Sequence, residues 1–395
     1  MKFNESIQKK KEKVKGKEKN SEKHVHFLSI CARMEGRNER EGSKVTENMT
    51  VFGCPVRTVT PAGTFRGAET LTAEVVSLGF SAVCLTAFGN GAGTVADLKR
   101  LCRILHAEGL RVYADMSCLC GDGESPAEPM RQSTDVFGLD GFFLRAADFS
   151  FSDTYATLAA LSAGRENFRW FVTDGRRPLP ETEPGKKVRI PADGGTFAGV
   201  RTDVVFAADD PAAALAAETA ALAPVRGDGL CTLFPTANAA ADDARAALAF
   251  SLPGTVFTDA AFLFGRPGDM SFAASAAGRR RRALFCALQN LRRTPALRYD
   301  VRAGVGHLLV ISERQEGGTR YIAVNAGPSP VAVTDKNILS APPDFGGGFD
   351  RVGESVFLGA YAAVSVFRPT PPRAERPAQT APPAEEMTEN PVEIQ

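Results

Sequence analysis

Residues Gly141–Asp148 read GFFLRAAD, an apolar run that ends in an arginine and an acid. The run predicts a β-strand over Leu139–Ala146. Because successive side chains of a strand point to opposite faces, Phe143 and Arg145 share one face. The uninterrupted apolar character is typical of a strand in a parallel sheet that helices cover on both sides. A buried strand that terminates in a cation therefore lies near the middle of the chain.

Runs of the same kind alternate with helical segments on both sides of this stretch. The clearest helix is Thr94–Glu108, whose leucines recur at helical spacing and which Gly109 follows as a C-terminal cap. Four further helices are predicted, at Glu69–Leu78, around Asp153–Leu161, at Pro211–Leu222 and at Ala239–Phe250. The predicted strands are Thr50–Val59, Ser81–Ala87, Leu110–Ser117, Leu139–Ala146, Phe168–Thr173, Asp203–Ala207, Gly229–Phe234 and Thr255–Leu263.

Eight such strands fit the length that a (β/α)8 TIM barrel needs, about 200–250 residues. A doubly wound sheet is the alternative from periodicity alone. From about Asp300 onward, short alternating strands predict a small antiparallel β-domain, and they are Gly306–Ser312, Thr319–Val324, Val331–Thr334, Val356–Leu358 and Ala362–Phe367. The segment Gly175–Gly195 has four prolines and no helical period, which predicts an irregular barrel there. The expected domains are a disordered basic tail at 1–48, the barrel at 49–299, the β-domain at 300–370 and a disordered Pro/Glu-rich tail at 371–395.

Charge and hydropathy exclude several classes of protein. The 395 residues carry a formal net charge of +1, although residues 1–48 hold 13 Lys and Arg against 8 Asp and Glu. No apolar run approaches the roughly 18 residues that span a bilayer. The basic N-terminus lacks the longer apolar stretch of a secretory signal. These features predict a cytoplasmic protein with no membrane partner.

The cysteines indicate structural thiols. Cys84, Cys118 and Cys231 lie in apolar strand-like runs, where a free cysteine behaves as a small hydrophobic residue. The pair formed by Cys118 and Cys120 leaves zinc as an alternative, but no second Cys/His pair lies nearby in sequence. We therefore expect no metal and no cofactor.

The basic run Arg279–Arg282 allows two interpretations. It could form a patch for an anionic partner. Four consecutive arginines on a helix point in all directions, however, so some must be solvated or paired with acids. Because the rest of the chain lacks a pattern of stacking aromatics, no nucleic-acid partner is expected.

Several segments in order resemble one family. The stretch Gly141–Asp148 is similar to the fourth barrel strand of the α-amylase superfamily (glycoside hydrolase family 13), G-F-R-L-D-A-A. The resemblance covers roughly residues 50–368 and implies a (β/α)8 barrel with a C-terminal β-domain and a role in carbohydrate metabolism. The other similar segments are 77–88 (SLGFSAVCLTAF), 93–116, 251–265 (SLPGTVFTDAAFLFG), 288–298 and 305–333.

The resemblance places Arg145 where the family has its catalytic aspartate. A guanidinium cannot be deprotonated in a protein, so it cannot attack a sugar carbon. Phe143 stands where the family has an arginine. On the third strand Asp115 is retained, while the Asn-His pair that contacts sugar hydroxyls is replaced by Leu119 and Cys120.

The remaining active-site positions are also altered. Asp174 lies near the place of the general acid, one methylene shorter than the family's glutamate. The Asn-His-Asp motif of the seventh strand falls at residues 236–238, where Asn238 replaces the carboxylate. The resemblance thus implies an inactive, carbohydrate- or anion-binding or regulatory barrel. Its candidate binding residues are Asp115, Phe143, Arg145 and Asn238, with Asp174 as a candidate acid.

The residues leave other readings open. Asp115 could hold Arg145 through a charge-assisted bond in a purely structural pair. Arg145 could instead bind a sugar phosphate or carboxylate.

A rearranged carboxylate pair of Asp115 and Asp174, or Asp209, could serve an active glycoside hydrolase or glucan-modifying enzyme. Asp148, three residues after Arg145, faces away if the strand persists. A structural partner subunit that uses the barrel surface is the third class. Only about thirty residues separate Asp115 from Arg145, where α-amylases usually insert an extra domain. The absence of that domain resembles the sugar-inactive heavy chains of amino-acid transporters.

Overall fold

The computed structural model describes residues 48–370 except 90, 122, 166, 174–194, 223–228, 266–270, 295, 297, 305, 340–341 and 353–354. Eight parallel strands close into a barrel, and a separate antiparallel sheet follows. The predicted TIM barrel with a small β-domain is confirmed. The barrel strands are β1 (Thr50–Pro55), β2 (Ala82–Thr86), β3 (Arg111–Asp115), β4 (Gly141–Leu144), β5 (Arg169–Val172), β6 (Gly195–Ala198), β7 (Gly229–Leu233) and β8 (Thr255–Asp259).

Closure is visible at Gly53, which aligns with Cys84 on β2 and with Asp259 on β8. A Cβ atom at Gly53 would overlap the ring of Phe257, so glycine leaves the space that this ring fills inside the barrel. The interior is a packed core, as in other barrels of this size. Its buried residues are Met49, Val51, Ala82, Cys84, Tyr113, Phe143, Phe171, Leu230 and Phe257.

β4 is shorter than the strand predicted over Leu139–Ala146. It starts at Gly141, whose φ of +149° lies in the region that favours glycine, and a side chain there would overlap the carbonyl oxygen of Arg169 on β5. It ends at Leu144, and a 3-10 helix over Ala146–Ser150 follows. This early end decides where the side chains after Arg145 point.

Helices cover the outside of the barrel. The helix Val95–Ala107 (α3) begins with a capping box in which Thr94 and Asp97 satisfy each other's backbone N–H groups. α4, between β3 and β4, has no counterpart in the sequence prediction. The helices are α1 (Phe65–Glu69), α2 (Thr72–Ser77), α3 (Val95–Ala107), α4 (Ala127–Phe137), α5 (Ser152–Ala163), α6 (Thr202–Ala207), α7 (Pro211–Leu222), α8 (Ala239–Phe250), α9 (Ala260–Phe264), α10 (Ser271–Ala274) and α11 (Ala276–Arg292).

Two predicted strands are wrong in whole or in part. The stretch Asp203–Ala207 is not the sixth strand, because it lies inside α6, and β6 is the four-residue segment Gly195–Ala198. The predicted strand Thr255–Leu263 stops at Asp259, whose carboxylate accepts a hydrogen bond from the Ala261 N–H and so caps α9. The expected irregularity over 175–195 and the two predicted tails fall almost wholly outside the described residues.

The C-terminal sheet has the order β12-β14-β11-β10-β9, with β13 paired to β14. The predicted strands Val356–Leu358 and Ala362–Phe367 are parts of one strand, β14, which bends at Tyr361 with a φ of +51°. β9 and β13 were not predicted. The strands are β9 (Arg298–Ala303), β10 (Leu308–Gln315), β11 (Gly318–Asn325), β12 (Val331–Val333), β13 (Phe345–Val352) and β14 (Ser355–Pro369), with α12 (Lys336–Leu339) between β12 and β13.

The sheet packs on the barrel through an apolar face. Ile311 on β10 and Ile322 on β11 belong to the same buried cluster as Ala247 and Leu248 of α8. The burial of this face fixes the sheet against the outer wall of the barrel. Among the helices described, none is long and apolar enough to cross a membrane.

Candidate functional site

The C-terminal ends of the barrel strands, here called the barrel mouth, carry four interior-facing side chains of interest. Asp115 is two residues beyond the buried Tyr113, and Arg145 is two beyond the buried Phe143. By the same alternation Phe234 shares the interior face with Leu230, and Asp259 shares it with Phe257. In barrels of this kind the catalytic and binding groups stand at these strand ends.

Arg145 directly follows β4 and is held by Asp148. Its backbone N–H donates to Asp148 Oδ2 at 2.7 Å, and its guanidinium Nη2 donates to Asp148 Oδ1 at 3.3 Å. The Asp148 side chain is 5% exposed, whereas that of Arg145 is 36% exposed. Asp148 is therefore enclosed by the protein, whereas the guanidinium of Arg145 remains partly accessible at the barrel mouth.

Two expectations about this pair are corrected. Within the described part of the chain, the carboxylate on the guanidinium is that of Asp148, while Asp115 accepts from the Ser117 N–H at 2.9 Å and from the Ser117 hydroxyl at 2.7 Å. The prediction of an Arg145–Asp115 bond is wrong. The expectation that Asp148 faces away is wrong as well, because the strand ends before Arg145 and the 3-10 helix turns Asp148 back.

Phe143 lies inside the barrel, with 2% of its surface exposed. Its ring stacks on Phe171 at 4.5 Å and lies 5.2 Å from Phe257. Tyr113 contacts Phe171 edge-on at 5.1 Å. The four rings fill the barrel below the mouth, so Phe143 supports the floor of the site rather than presenting its own ring to a ligand.

Asn238 is exposed and begins α8. Its Oδ1 accepts from the N–H groups of Ala240 and Ala241, both at 3.2 Å. This is the role of a helix N-cap. The neighbouring Thr236 is fixed by the buried Asp242, which accepts from its N–H and its hydroxyl. The polar groups of Thr236 and Asn238 are thus engaged in local hydrogen bonds that hold the start of α8.

The predicted acid Asp174 lies outside the described residues. Asp209 is exposed between α6 and α7, outside the strands. The described barrel mouth therefore brings together Asp115 and Arg145 from the predicted set, and it places Phe143 beneath them.

Sequence reasoning missed Phe234 and Asp259. Phe234 is 51% exposed at the end of β7. Burial raises the pKa of the Asp259 carboxyl above its usual value, partly offset by the hydrogen bond from Ala261. Both residues could have been found from the alternation of side chains along a strand. Phe234 and Asp259 each lie an even number of residues after an inward-facing residue, Leu230 on β7 and Phe257 on β8.

Cys84 and Cys231 behave as the sequence predicted, whereas Cys118 lies in a 3-10 helix after β3 and is only partly buried. Cys84 and Cys231 are buried, and desolvation raises the pKa of each above its ordinary value. Cys120 is partly buried and its thiol donates to the carbonyl oxygen of Met116 at 3.3 Å. Across the described residues, no group of three or more His, Cys, Asp or Glu side chains could hold a metal ion.

The run Arg279–Arg282 is largely tied to the barrel. Arg281 is 5% exposed and donates to Asp243 at 2.7 Å and to the carbonyl oxygens of Phe262 and Ala239. Arg282 donates to Glu74 at 2.8 Å. Arg280 donates to Asp243 at 3.3 Å, so three of the four arginines join α11 to α8 or to α2.

No family model and no curated protein sequence matches this chain. Solved structures do. An α-amylase from Lactobacillus plantarum has a TM-score of 0.61 at 14% identity, covering 81% of this chain and 99% of that one. A cyclic α-maltosyl-(1→6)-maltose hydrolase from Arthrobacter globiformis has 0.58 at 16%, covering 82% and 99%. A Nostoc punctiforme debranching enzyme has 0.58 at 14%, covering 82% and 98%. The chain shares the fold of these enzymes.

Proposed function

We propose that this chain is an α-amylase-like protein of carbohydrate metabolism that binds a carbohydrate at the barrel mouth and does not hydrolyse it by the retaining mechanism. The observation that carries the proposal is Arg145, which stands immediately after β4 with its guanidinium on Asp148. Retaining hydrolysis requires a carboxylate nucleophile and an acid about 5–5.5 Å apart. At the position where the resemblance puts that nucleophile, this chain carries a fixed cation.

Asp148 does not supply the missing carboxylate. Its side chain is 5% exposed, and both of its oxygens accept hydrogen bonds from Arg145. A nucleophile needs an unshared, accessible oxygen beside the sugar carbon. The geometry therefore supports binding over covalent chemistry.

Carbohydrate is the ligand class that the fold neighbours suggest. The Arthrobacter globiformis enzyme has been solved with cyclic α-maltosyl-(1→6)-maltose, and a further fold neighbour has been solved with maltose. At the mouth of this chain, carboxylates at Asp115 and Asp259 provide acceptors for sugar hydroxyls. We infer that α-linked glucose oligomers are the class to test first.

The test measures hydrolysis of starch, maltose and a nitrophenyl α-glucoside by the purified full-length protein. The Lactobacillus plantarum α-amylase serves as the positive control. We expect no product above the buffer blank. Turnover that disappears in the Asp115→Asn variant would overturn the proposal.

A second function is favoured by one observation, the burial of the Asp259 carboxyl. A carboxyl with a raised pKa is suited to act as a general acid. With Asp115 as its partner, it would form a rearranged carboxylate pair in an active glycoside hydrolase. Under this alternative both Asp259→Asn and Asp115→Asn abolish turnover, whereas Arg145→Met does not.

A further inference from the structure

Phe234 exposes half of its surface at the barrel mouth. It follows Leu233, the last residue of β7, and 51% of it is exposed. Single exposed apolar residues are common and by themselves carry no meaning. Phe234 differs from such residues because it lies at a barrel strand end, its backbone is held by buried groups, and its ring has an aromatic and a carboxylate neighbour.

The backbone of Phe234 is held by buried groups. Its carbonyl oxygen accepts from Arg245 Nη1 at 3.1 Å, and Arg245 is itself paired with Asp242 at 3.1 Å. Both of those side chains are almost fully buried. Two residues further on, Thr236 is fixed by the same Asp242. The exposed ring therefore stands on a rigid segment, which lowers the entropy that a ligand would have to remove.

The ring is also supported from below. Its centroid lies 5.9 Å from that of Phe257, at an interplanar angle of 42°. Phe257 in turn lies 5.2 Å from Phe143. Phe234 is the outermost member of the aromatic series that fills the barrel, and its exposed surface borders the mouth.

A carboxylate stands beside this ring. Leu233 aligns with Thr258 in the β7–β8 register, so the next residues, Phe234 and Asp259, are neighbours with side chains on the interior face. Asp259 Oδ1 accepts the cap hydrogen bond from Ala261 at 2.8 Å. Its carboxylate retains further acceptor capacity for a ligand hydroxyl.

Carboxylates stand at two of the described strand ends. Asp115 and Asp259 contribute negative charge, while the charge of Arg145 is balanced by Asp148. A phosphate group near these carboxylates would be repelled. An uncharged ligand avoids this repulsion.

We propose that Phe234 and Asp259 form a subsite for a neutral pyranose, with the C–H face of the sugar on the Phe234 ring and a sugar hydroxyl donating to Asp259. An apolar platform with a few placed polar groups is the usual composition of a small-ligand site. This subsite rests on the proposed carbohydrate-binding function and names the residues and the sugar class that it selects.

The experiment is calorimetric titration of the full-length protein with maltotriose and, separately, with glucose 1-phosphate. The variants are Phe234→Leu, which removes the ring, Phe234→Tyr, which keeps it, and Asp259→Asn. Phe357→Leu is the matched control, because Phe357 is a similarly exposed phenylalanine, at 40%, that lies on β14 of the C-terminal sheet and not on a barrel strand. Thermal melting of each variant checks that it is folded.

We expect the wild type to bind maltotriose more tightly than glucose 1-phosphate. Phe234→Leu should weaken maltotriose binding about 10-fold, the factor equivalent to one aromatic contact. Phe357→Leu should leave the affinity unchanged, Phe234→Tyr should weaken it less than Phe234→Leu does, and Asp259→Asn should weaken it. If the wild type binds maltotriose and folded Phe234→Leu binds it equally well, the subsite is wrong while the proposed function stands. If the wild type binds no neutral sugar, the proposed function itself fails.

Discussion

Arg145 and Asp148 form an ion pair across one 3-10 turn, with 3.3 Å between Nη2 and Oδ1. The aspartate is enclosed by the protein while the arginine reaches the barrel mouth. A cation is thereby fixed at the end of the strand where the α-amylase resemblance expects a nucleophile. The pair accounts both for the proposed loss of hydrolysis and for the local charge balance.

The pair should be energetically coupled. Arg145→Met leaves Asp148 with one fewer donor, and we expect a loss of about 1–2 kcal/mol in the free energy of unfolding, discounted because the guanidinium is partly exposed. In denaturant unfolding, the double-mutant cycle with Asp148→Asn should give a coupling energy of at least about 0.5 kcal/mol. The control cycle with Asp115→Asn should be closer to additive. Equal coupling in both cycles would contradict the pairing described here.

Gly141 should resist substitution. In Gly141→Ala the new methyl group would overlap the Arg169 carbonyl oxygen at a φ of +149°, so β4 could not keep its register with β5. Gly109 is the matched control, since it has a φ of +76° but open space around its Cα. We expect Gly109→Ala to cost only about 1 kcal/mol, the left-handed backbone penalty. Gly141→Ala should cost several-fold more or prevent folding, and equal melting temperatures for the two variants would refute this.

Glu313 should make stability depend on pH. It lies buried on β10 near Arg320 and Arg292, with Gln315 donating to its carboxyl, and burial raises its pKa from 4.5 to about 7. Between these two values the folded chain keeps a proton that the unfolded chain releases. The contribution of Glu313 is therefore full below pH 4.5, falls as the pH rises to about 7 and is level above it.

The measurement is urea unfolding at pH 5 and pH 8 for the wild type and for Glu313→Gln. The wild type should lose up to about 3 kcal/mol more than the variant between these two pH values. Glu313→Gln is the control for the wild type, because its amide does not titrate. Identical pH profiles would show that the carboxyl is ionised in the folded protein.

Substitutions at Arg279 and Arg281 of α11 should differ in how far they lower the free energy of unfolding. Arg281 is buried and donates to Asp243, Phe262 and Ala239, so Arg281→Met removes a buried charge from its partners and should cost about 3–5 kcal/mol. Arg279 is exposed, and Arg279→Ala should change stability by less than about 0.5 kcal/mol. Chemical denaturation distinguishes them. Equal and small effects would indicate that the run is a solvated face.

Most of the fold could be predicted because its strands are apolar and its helices are amphipathic. The sixth strand could not, since Gly195–Ala198 is four residues long, while the Val-Val-Phe run inside Asp203–Ala207 suits a strand and a helix equally. The periodicity of a short apolar run does not decide between the two. Chain closure of the barrel, a tertiary effect, selects the shorter segment.

The site could be predicted only where strand alternation holds. The resemblance singled out Arg145 and Asp115, and both stand at strand ends. The partner of Arg145 was mistaken, because the end of β4 at Leu144 is set by packing and the 3-10 turn that follows has no clear sequence signal. Phe234 and Asp259 were missed although they continue the inward-facing series of β7 and β8, since the resemblance directed attention to other positions.

One NMR experiment tests the central claim most directly, because it reads binding and turnover in the same sample. Maltotriose is incubated with the full-length protein, and saturation transfer to the sugar is recorded together with its anomeric signals over time. The account predicts saturation transfer to maltotriose and an unchanged set of anomeric signals. The appearance of new α-anomeric signals from shorter sugars, abolished in Asp115→Asn, would contradict it.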